Sequence, residues 1–331
     1  MKVILDMVMI IAIIVVACIA SASSSSSSTE EKRKPGHETR RIQRAAVDAW
    51  GASLDPILDY NATKWITPKH SQPQYVFDYY VKRLSDLFAQ KGATVNFALV
   101  GACDGANDNT IRERYLPNEH WRAIFVEPIS LNVADLKKYL SDKGVSHRSY
   151  VLQAAVTNHC NASTIIVKTP DRDYMTDTKK PHWMRRQIGG IVPINADTGK
   201  PRLPSGWKAE SVRCMRGSEV TKEWAEVVSK RPAGVRRSAA KADIKRRPHV
   251  LKIDAEGFDY QVLSSFLMDD TNNAELPLLV NYEAKTMFEN YPRAVEALQR
   301  RGYVVSNFAA DGFALLRKEY MFKKKRDTPA V

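Results

Sequence analysis

Five acidic residues and two glycines carry the chemistry this sequence could perform. Gly101, Asp104 and Gly105 lie in the loop after an apolar run, Phe97–Val100, inside the stretch Val95–Asp108. Glu127 closes a second apolar run, Ala123-Ile124-Phe125-Val126, 22 residues beyond Gly105. Asp254 and Glu256 follow a third run, Val250–Ile253, and Glu283 follows a fourth, Leu276–Tyr282. A carboxylate accepts hydrogen bonds from two neighbouring hydroxyls, and charged acceptors make the stronger bonds. About 20 residues past a glycine loop is where open α/β folds hold ribose hydroxyls, so Glu127 is the leading binding residue. Asp104 would either hold a ligand ammonium or brace the loop through its own backbone. Asn107 and Asp108 could bind the same region, but both types are favoured helix caps, and the cap is the simpler reading. Glycines at 101 and 105, with the small Ala102 and Cys103 between, let the backbone approach a ligand and adopt positive φ.

A hydroxyl is a poor nucleophile until a base begins to take its proton. Asp254, Glu256 and Glu283 are the candidates for that work, with Asp254 first as base or as the group that positions the acceptor. On a strand, residues two apart face the same way, and close carboxylates raise one another's pKa. The same acids could take a divalent cation. Without a ligand role, Glu256 would be accounted for by a helix N-terminus, where an acid gains about 0.3–1 kcal/mol.

These residues need strands to carry them to one edge and helices to cover the sheet. Apolar runs of strand length alternate with helical patterns, which predicts a mostly parallel sheet. Helices are expected over Thr39–Trp50, Gln74–Gln90, Asn132–Tyr139, Ser218–Ser229, Tyr260–Leu267 and Tyr291–Arg301. In the second, Val76, Tyr79, Tyr80, Leu84 and Leu87 recur at three- and four-residue steps as a stripe for core packing; Lys91-Gly92 then stops it. Ser218 would cap its helix, weakly, because no acid stands three positions on. Further strands are expected at Trp121–Val126, Tyr150–Val156, with Thr164–Val167 pairing near it, and Ser211–Met215. A hairpin of Tyr303–Asn307 and Gly312–Arg317 closes the chain.

The loop spacing is G-x-x-x-G with an embedded acid. It is neither the G-x-G-x-x-G of dinucleotide binders nor a phosphate loop. The set G-A-C-D-G-A-N-D, then F-V-E-P, then L-K-I-D-A-E-G-F-D resembles the FkbM-like S-adenosylmethionine-dependent methyltransferases, over roughly Asn96–Lys318. The resemblance implies a Rossmann-like α/β fold: a seven-stranded, mostly parallel sheet with helices on both faces and the last strand reversed. It implies S-adenosylmethionine as cofactor, held by Gly101, Ala102, Asp104, Gly105 and Glu127, with Ala154 and Ala155 against the adenine. The expected reaction is methyl transfer to an oxygen, with a sugar hydroxyl on a glycan or another small molecule as acceptor. Two other functions fit parts of the pattern. A nicotinamide-dependent oxidoreductase shares the glycine loop and Glu127, and a non-catalytic lumenal protein on the same fold would bind polyanions or glycans.

The chain has 331 residues, enough for one catalytic domain with insertions. Lys2 precedes an apolar run, Met7–Ala20, and then Ala20-Ser21-Ala22, the form of a signal peptide with a small-residue cleavage site or of an uncleaved anchor. Residues 1–22 are therefore expected to direct the protein into the secretory pathway, lumenal or secreted, with a membrane anchor if cleavage fails. A Ser-rich linker, 23–38, and a helical extension, 39–94, precede a catalytic domain, 95–320. Sequons at Asn61 and Asn161 agree with that address.

The net charge is +13, and 169–250 holds 19 Lys and Arg against 9 Asp and Glu. Residues 169–248 are expected to form a long basic insertion, with the loop-like Pro193–Trp207 and the basic run Arg231–Arg247 inside it, and 321–331 a basic tail. Such an insertion is either a solvated surface or a patch attracting an acidic substrate. Nucleic acid is not expected as partner, because no aromatic residues interleave with the basic ones to stack bases. Setting aside Cys18 in the leader leaves Cys103, Cys160 and Cys214, an odd number, so at least one stands outside any intrachain bridge. No C-x-x-C or Cys/His cluster occurs, and no structural zinc is expected. Cys103 is expected to be a small buried residue.

Overall fold

The computed structural model describes residues 35–58, 73–160, 162–171, 174, 179, 190–191, 203, 205–229, 248–267, 276–308 and 311–317. All lie within one unit, Pro35–Val331. The helices, in chain order, are α1 (Pro35–Leu58), α2 (Pro73–Gln90), α3 (Ser130–Asp142), α4 (Gly217–Ser229), α5 (Asp259–Leu267) and α6 (Tyr291–Arg300). The first strands are β1 (Val95–Val100), β2 (Trp121–Glu127), β3 (Ser149–Gln153), β4 (Ala155–Val156), β5 (Thr164–Pro170) and β6 (Gly190–Ile191). Then come β7 (Trp207–Met215), β8 (Val250–Ile253), β9 (Leu279–Glu283), β10 (Tyr303–Phe308) and β11 (Asp311–Leu316).

Every residue of β1 is buried, and Asn96 is its one polar member. A strand covered on both faces must be apolar throughout, which places β1 at the centre of a parallel sheet. The backbone of Asn96 pairs with His249, just before the next strand: its N–H donates to Nδ1 of His249 at 2.9 Å and its carbonyl accepts the His249 N–H at 2.7 Å. The seven-stranded sheet has the order β3-β2-β1-β8-β9-β11-β10. Its β1–β2, β2–β3, β1–β8 and β8–β9 pairs are parallel, and β11 runs antiparallel to both neighbours. The sequence-ordered neighbours of β1 diverge, with β2 on one side and β8 on the other. That divergence is the topological switch point, where open α/β sheets bind ligands beyond the strands' carboxyl ends.

Helices supply the cover. Phe77, Tyr80, Val81, Leu84 and Phe88 of α2 are buried, and Tyr80 lies against Phe313 of β11 with ring centroids 5.8 Å apart. Tyr79, expected in that stripe, is 53% exposed and its hydroxyl accepts from Arg83. The buried stripe is turned about one residue from the expected one. Trp50 of α1 is fully buried and meets Tyr80 edge-on at 6.5 Å.

The expected third strand, 150–156, is two strands. It breaks at Ala154: β3 ends the large sheet, and β4 joins a second sheet of order β4-β7-β5-β6. β5 pairs antiparallel with β7 over seven residues, and β7 separates it from β4, the end of the expected third strand. The expected basic insertion thus contributes β7, α4 and the end of β5 to ordered structure. Most of the loop-like stretch at 193–207, the run at 231–247 and the tail at 321–331 lie outside the described residues, as do the leader, most of the linker and the Asn61 and Asn161 side chains. Cys160 and Cys214 form a disulfide closing a separation of 54 residues, with Cα atoms 5.6 Å apart. Cys103 is outside that bridge. Helix α4 starts at Gly217, so its N-terminal flank is Arg216, whose N–H donates to Oε2 of Glu219 at 2.7 Å. The acid missing three positions after Ser218 is present three positions after Arg216. Among the described residues no helix is long and apolar enough to cross a membrane.

Candidate functional site

A cavity of about 350 Å³ opens at the carboxyl ends of β1, β2 and β8. Its lining includes Gly101, Ala102, Asp104 and Gly105 from the β1 loop, Glu127 from β2, and Ala154 and Ala155 from the β3–β4 break. Asp254 and Glu256 after β8, and Glu283 at the end of β9, line it as well. All ten residues singled out in the sequence meet around one space.

The loop is built by its own backbone and two acids. The N–H groups of Gly101 and Ala102 both donate to the Val126 carbonyl, at 2.9 and 3.2 Å, which ties the loop to the end of β2. Oδ1 of Asp104 accepts the Ala106 N–H at 3.1 Å, so this acid does brace the loop. Asp108 acts as a cap, Oδ1 accepting the Ile111 N–H at 2.8 Å where a short π-helix, Ile111–Tyr115, begins. The two glycines have φ of +84° and +73°, as a tight loop requires. Their lack of a side chain serves the protein's own packing. A Cβ on Gly101 would stand 1.8 Å from the Asp254 carbonyl oxygen, and one on Gly105 would stand 2.5 Å from Cδ1 of Leu136. Both glycines also line the cavity. Cys103 departs from expectation: it is half-buried, lines the cavity, and has φ of +49°.

Glu127 is 4% exposed. Its Oε2 accepts the Cys103 N–H at 2.9 Å; its Oε1 accepts the Ile129 N–H at 3.1 Å and Nδ2 of Asn132 at 3.2 Å. A carboxylate offers about four acceptor positions, so one remains, on Oε2. Burial pushes the carboxyl up to about 7, against the three donors that favour its charged form.

Asp254 and Glu256 are not on a strand. β8 ends at Ile253, and the chain turns with φ of +48° at Glu256. The turn, not strand alternation, brings both to the cavity. Burial raises the Asp254 carboxyl; Lys252 counters this, while Asp108, Glu283 and Asp311 add to it. Burial of the carboxyl, with Asp254 and Glu283 beside it, pushes Glu256 up to about 7, although the residue as a whole is exposed and solvent screens part of the push.

Sequence reasoning missed Lys252, Asp311, Asp78 and Asp259. Nζ of Lys252 pairs with Oδ2 of Asp108 at 2.5 Å, joining β8 to the glycine loop. Burial alone would lower this ammonium, but Asp108 and Asp254 outweigh it and hold it raised. Lys252 stands two before Asp254, so the alternation of β8 could have drawn attention to it. Asp311 faces Glu283 in the β11–β9 register, a pairing legible only once the hairpin is docked. Asp78 reaches the cavity from α2, and no sequence signal marks it. Asp259, fully buried, accepts the Glu283 N–H on Oδ1 at 3.0 Å and is pushed up to about 7 by burial.

Among its described lining residues the cavity counts eight carboxyl groups and one ammonium, Lys252. Among the described residues no group of three or more His, Cys, Asp or Glu has the arrangement to hold a metal ion. The chain matches no protein-family model, and no curated protein is significantly similar to it.

Proposed function

We propose that this protein is an S-adenosylmethionine-dependent methyltransferase of the FkbM-like kind, acting on a hydroxyl oxygen. The observation that carries the reading is the acid-lined cavity at the switch point, where the ends of β1, β2 and β8 meet. S-adenosylmethionine bears an ammonium and a sulfonium against one carboxylate, so its net charge suits eight acids. A nicotinamide dinucleotide bears two phosphates and would face the same acids unfavourably, which counts against the oxidoreductase reading. The reversed β11 agrees with the sheet that the sequence resemblance implies. The remaining acceptor position of Glu127 suits a ribose hydroxyl, and the volume falls within the range of small-molecule sites.

Bound there, S-adenosylmethionine would supply an electrophilic methyl group. Glu127 and the β1 loop hold and orient the nucleoside, and Ala154 and Ala155 give its base a small-residue wall. Glu256, raised towards neutrality, takes the proton from the acceptor hydroxyl as the oxygen is methylated. Asp254 and Glu283 keep that carboxyl basic, and Lys252 limits the repulsion among them. Alignment and exclusion of water supply much of the remaining rate. The Cys160–Cys214 bridge supports an oxidising, secretory-pathway address, and the acceptor there would be a carbohydrate or another small molecule.

Calorimetric titration of the full chain with S-adenosylmethionine tests the reading. The expected result is micromolar binding, weakened at least tenfold in Glu127→Gln with unchanged circular dichroism. No heat from the folded wild type overturns it, as does undiminished binding in the folded variant.

A further inference from the structure

A second, smaller cavity is lined by Gly257, the residue after Glu256. It encloses about 250 Å³ between α5 and the two short 3₁₀ turns after β9, Ala284–Thr286 and Phe288–Asn290. Phe288 stands at it, 79% exposed. Among the described residues, the other large exposed apolar side chain is Tyr79, whose hydroxyl and ring are both engaged by neighbours. Phe288 also has φ of +45°, an unfavourable conformation for a bulky residue and one that clusters at ligand sites.

The lining combines apolar surface with waiting acceptors. Tyr260 and Met287 supply the former. Gln261 lines the cavity, and its Oε1 is buried without a hydrogen-bond partner, a costly condition that turning the amide out to a ligand donor relieves. Glu289 and Asn290 offer further polar groups at the opening. Nothing stands within 4 Å of where a Gly257 side chain would begin, and Gly257, which lines this cavity with Phe288, directly follows Glu256, which lines the first.

The geometry points to an acceptor subsite here, one that stacks a sugar ring on Phe288 while the neighbouring hydroxyl is presented to Glu256. A pyranose has an apolar C–H face for the phenyl ring and hydroxyl donors for Gln261 and Glu289. A lipid chain would leave those acceptors unpaired, and a phosphate would be repelled by Glu289. The inference rests on the methyltransferase reading for the role of Glu256, but the subsite is tested without it.

Saturation-transfer NMR on the full chain, without S-adenosylmethionine, uses xylo-, manno-, cello- and galacto-hexaose as probes, with choline as a cationic control. Binding of at least one hexaose is expected, weakened tenfold or more in Phe288→Ala and in Phe288→Gly, with unchanged melting in the first. Gln261→Leu should weaken the same hexaose. No hexaose bound, equal binding in the variants, or binding of choline alone overturns the subsite. Affinity for S-adenosylmethionine should be the same in wild type and Phe288→Ala. Phe288-dependent hexaose binding without cofactor binding would keep the subsite and remove the methyltransferase.

Discussion

At the scale of single residues, Gly101 shows how closely the site depends on the sheet. Its missing side chain makes room for the Asp254 carbonyl, and the Asp254 N–H donates to Val100 at 2.9 Å. Gly101→Ala should therefore part β1 from the exit of β8 and strain a positive φ together, costing about 2–4 kcal/mol. A urea titration checks this through a lowered midpoint with an unchanged slope. Glu256 governs a different observable. With its carboxyl near 7 and needed as the base, turnover should rise with pH through about 7 and level off above it. Glu256→Gln should lower kcat and remove that limb while leaving S-adenosylmethionine affinity in place, as a pH-rate profile beside a binding titration would read.

At the scale of elements, Arg148 holds the segment between β1 and β3 together. Its Nη1 donates to the carbonyls of Tyr115, Asn118 and Trp121, and its Nη2 to that of Leu116. The guanidinium also lies over the Tyr115 ring, 4.4 Å from its centroid. These carbonyls end the π-helix and start β2; those of Tyr115 and Asn118 also accept the Asn118 and Trp121 N–H groups, at 3.3 and 3.1 Å, and Arg148 ties all four to one side chain. A lysine has three donors on one point and cannot span them. Arg148→Lys should cost about 2–3 kcal/mol, seen as a lower denaturant midpoint. Element types were readable in advance because apolar runs and three- and four-residue steps record burial directly. The break at Ala154 was not readable, since Tyr150–Val156 runs without a glycine, proline or charge to mark it. What divides it is the pairing of Ala155 and Val156 with Cys214 and Met215, some sixty residues on.

At the scale of the molecule, the raised carboxyls link stability to pH. Glu127 and Asp259 are both pushed to about 7 in the fold from an ordinary range near 4. The folded state then binds protons more tightly than the unfolded chain between those values, so unfolding releases them. Stability from these groups is full below about pH 4 and is lost as pH rises through about 7. His120 works the other way: burial lowers its pKa, so its contribution is full above the ordinary histidine value and is lost as pH falls below it. Comparing wild type with Asp259→Asn isolates the carboxyl effect: melting temperatures measured from pH 4 to 8 should fall less steeply in the variant. A cationic ligand that ionises Glu127 would release protons on binding, with the heat varying between buffers of different ionisation enthalpy.

The linear order of residues already held the strands, the glycine loop, and the acids at their ends, because each is a local matter of hydrophobic run, turn chemistry and spacing. It held the prospect of a common edge as well, since parallel strands joined by helices all finish on one side. Folding in three dimensions settled what lies between distant segments: that Gly101 yields to Asp254, that Asp108 meets Lys252, that Asp311 faces Glu283, and that Cys160 bonds Cys214. Electrostatics followed from the same step. A carboxyl's pKa depends on its desolvation and on charges a few ångströms away, and neither distance is written in a sequence.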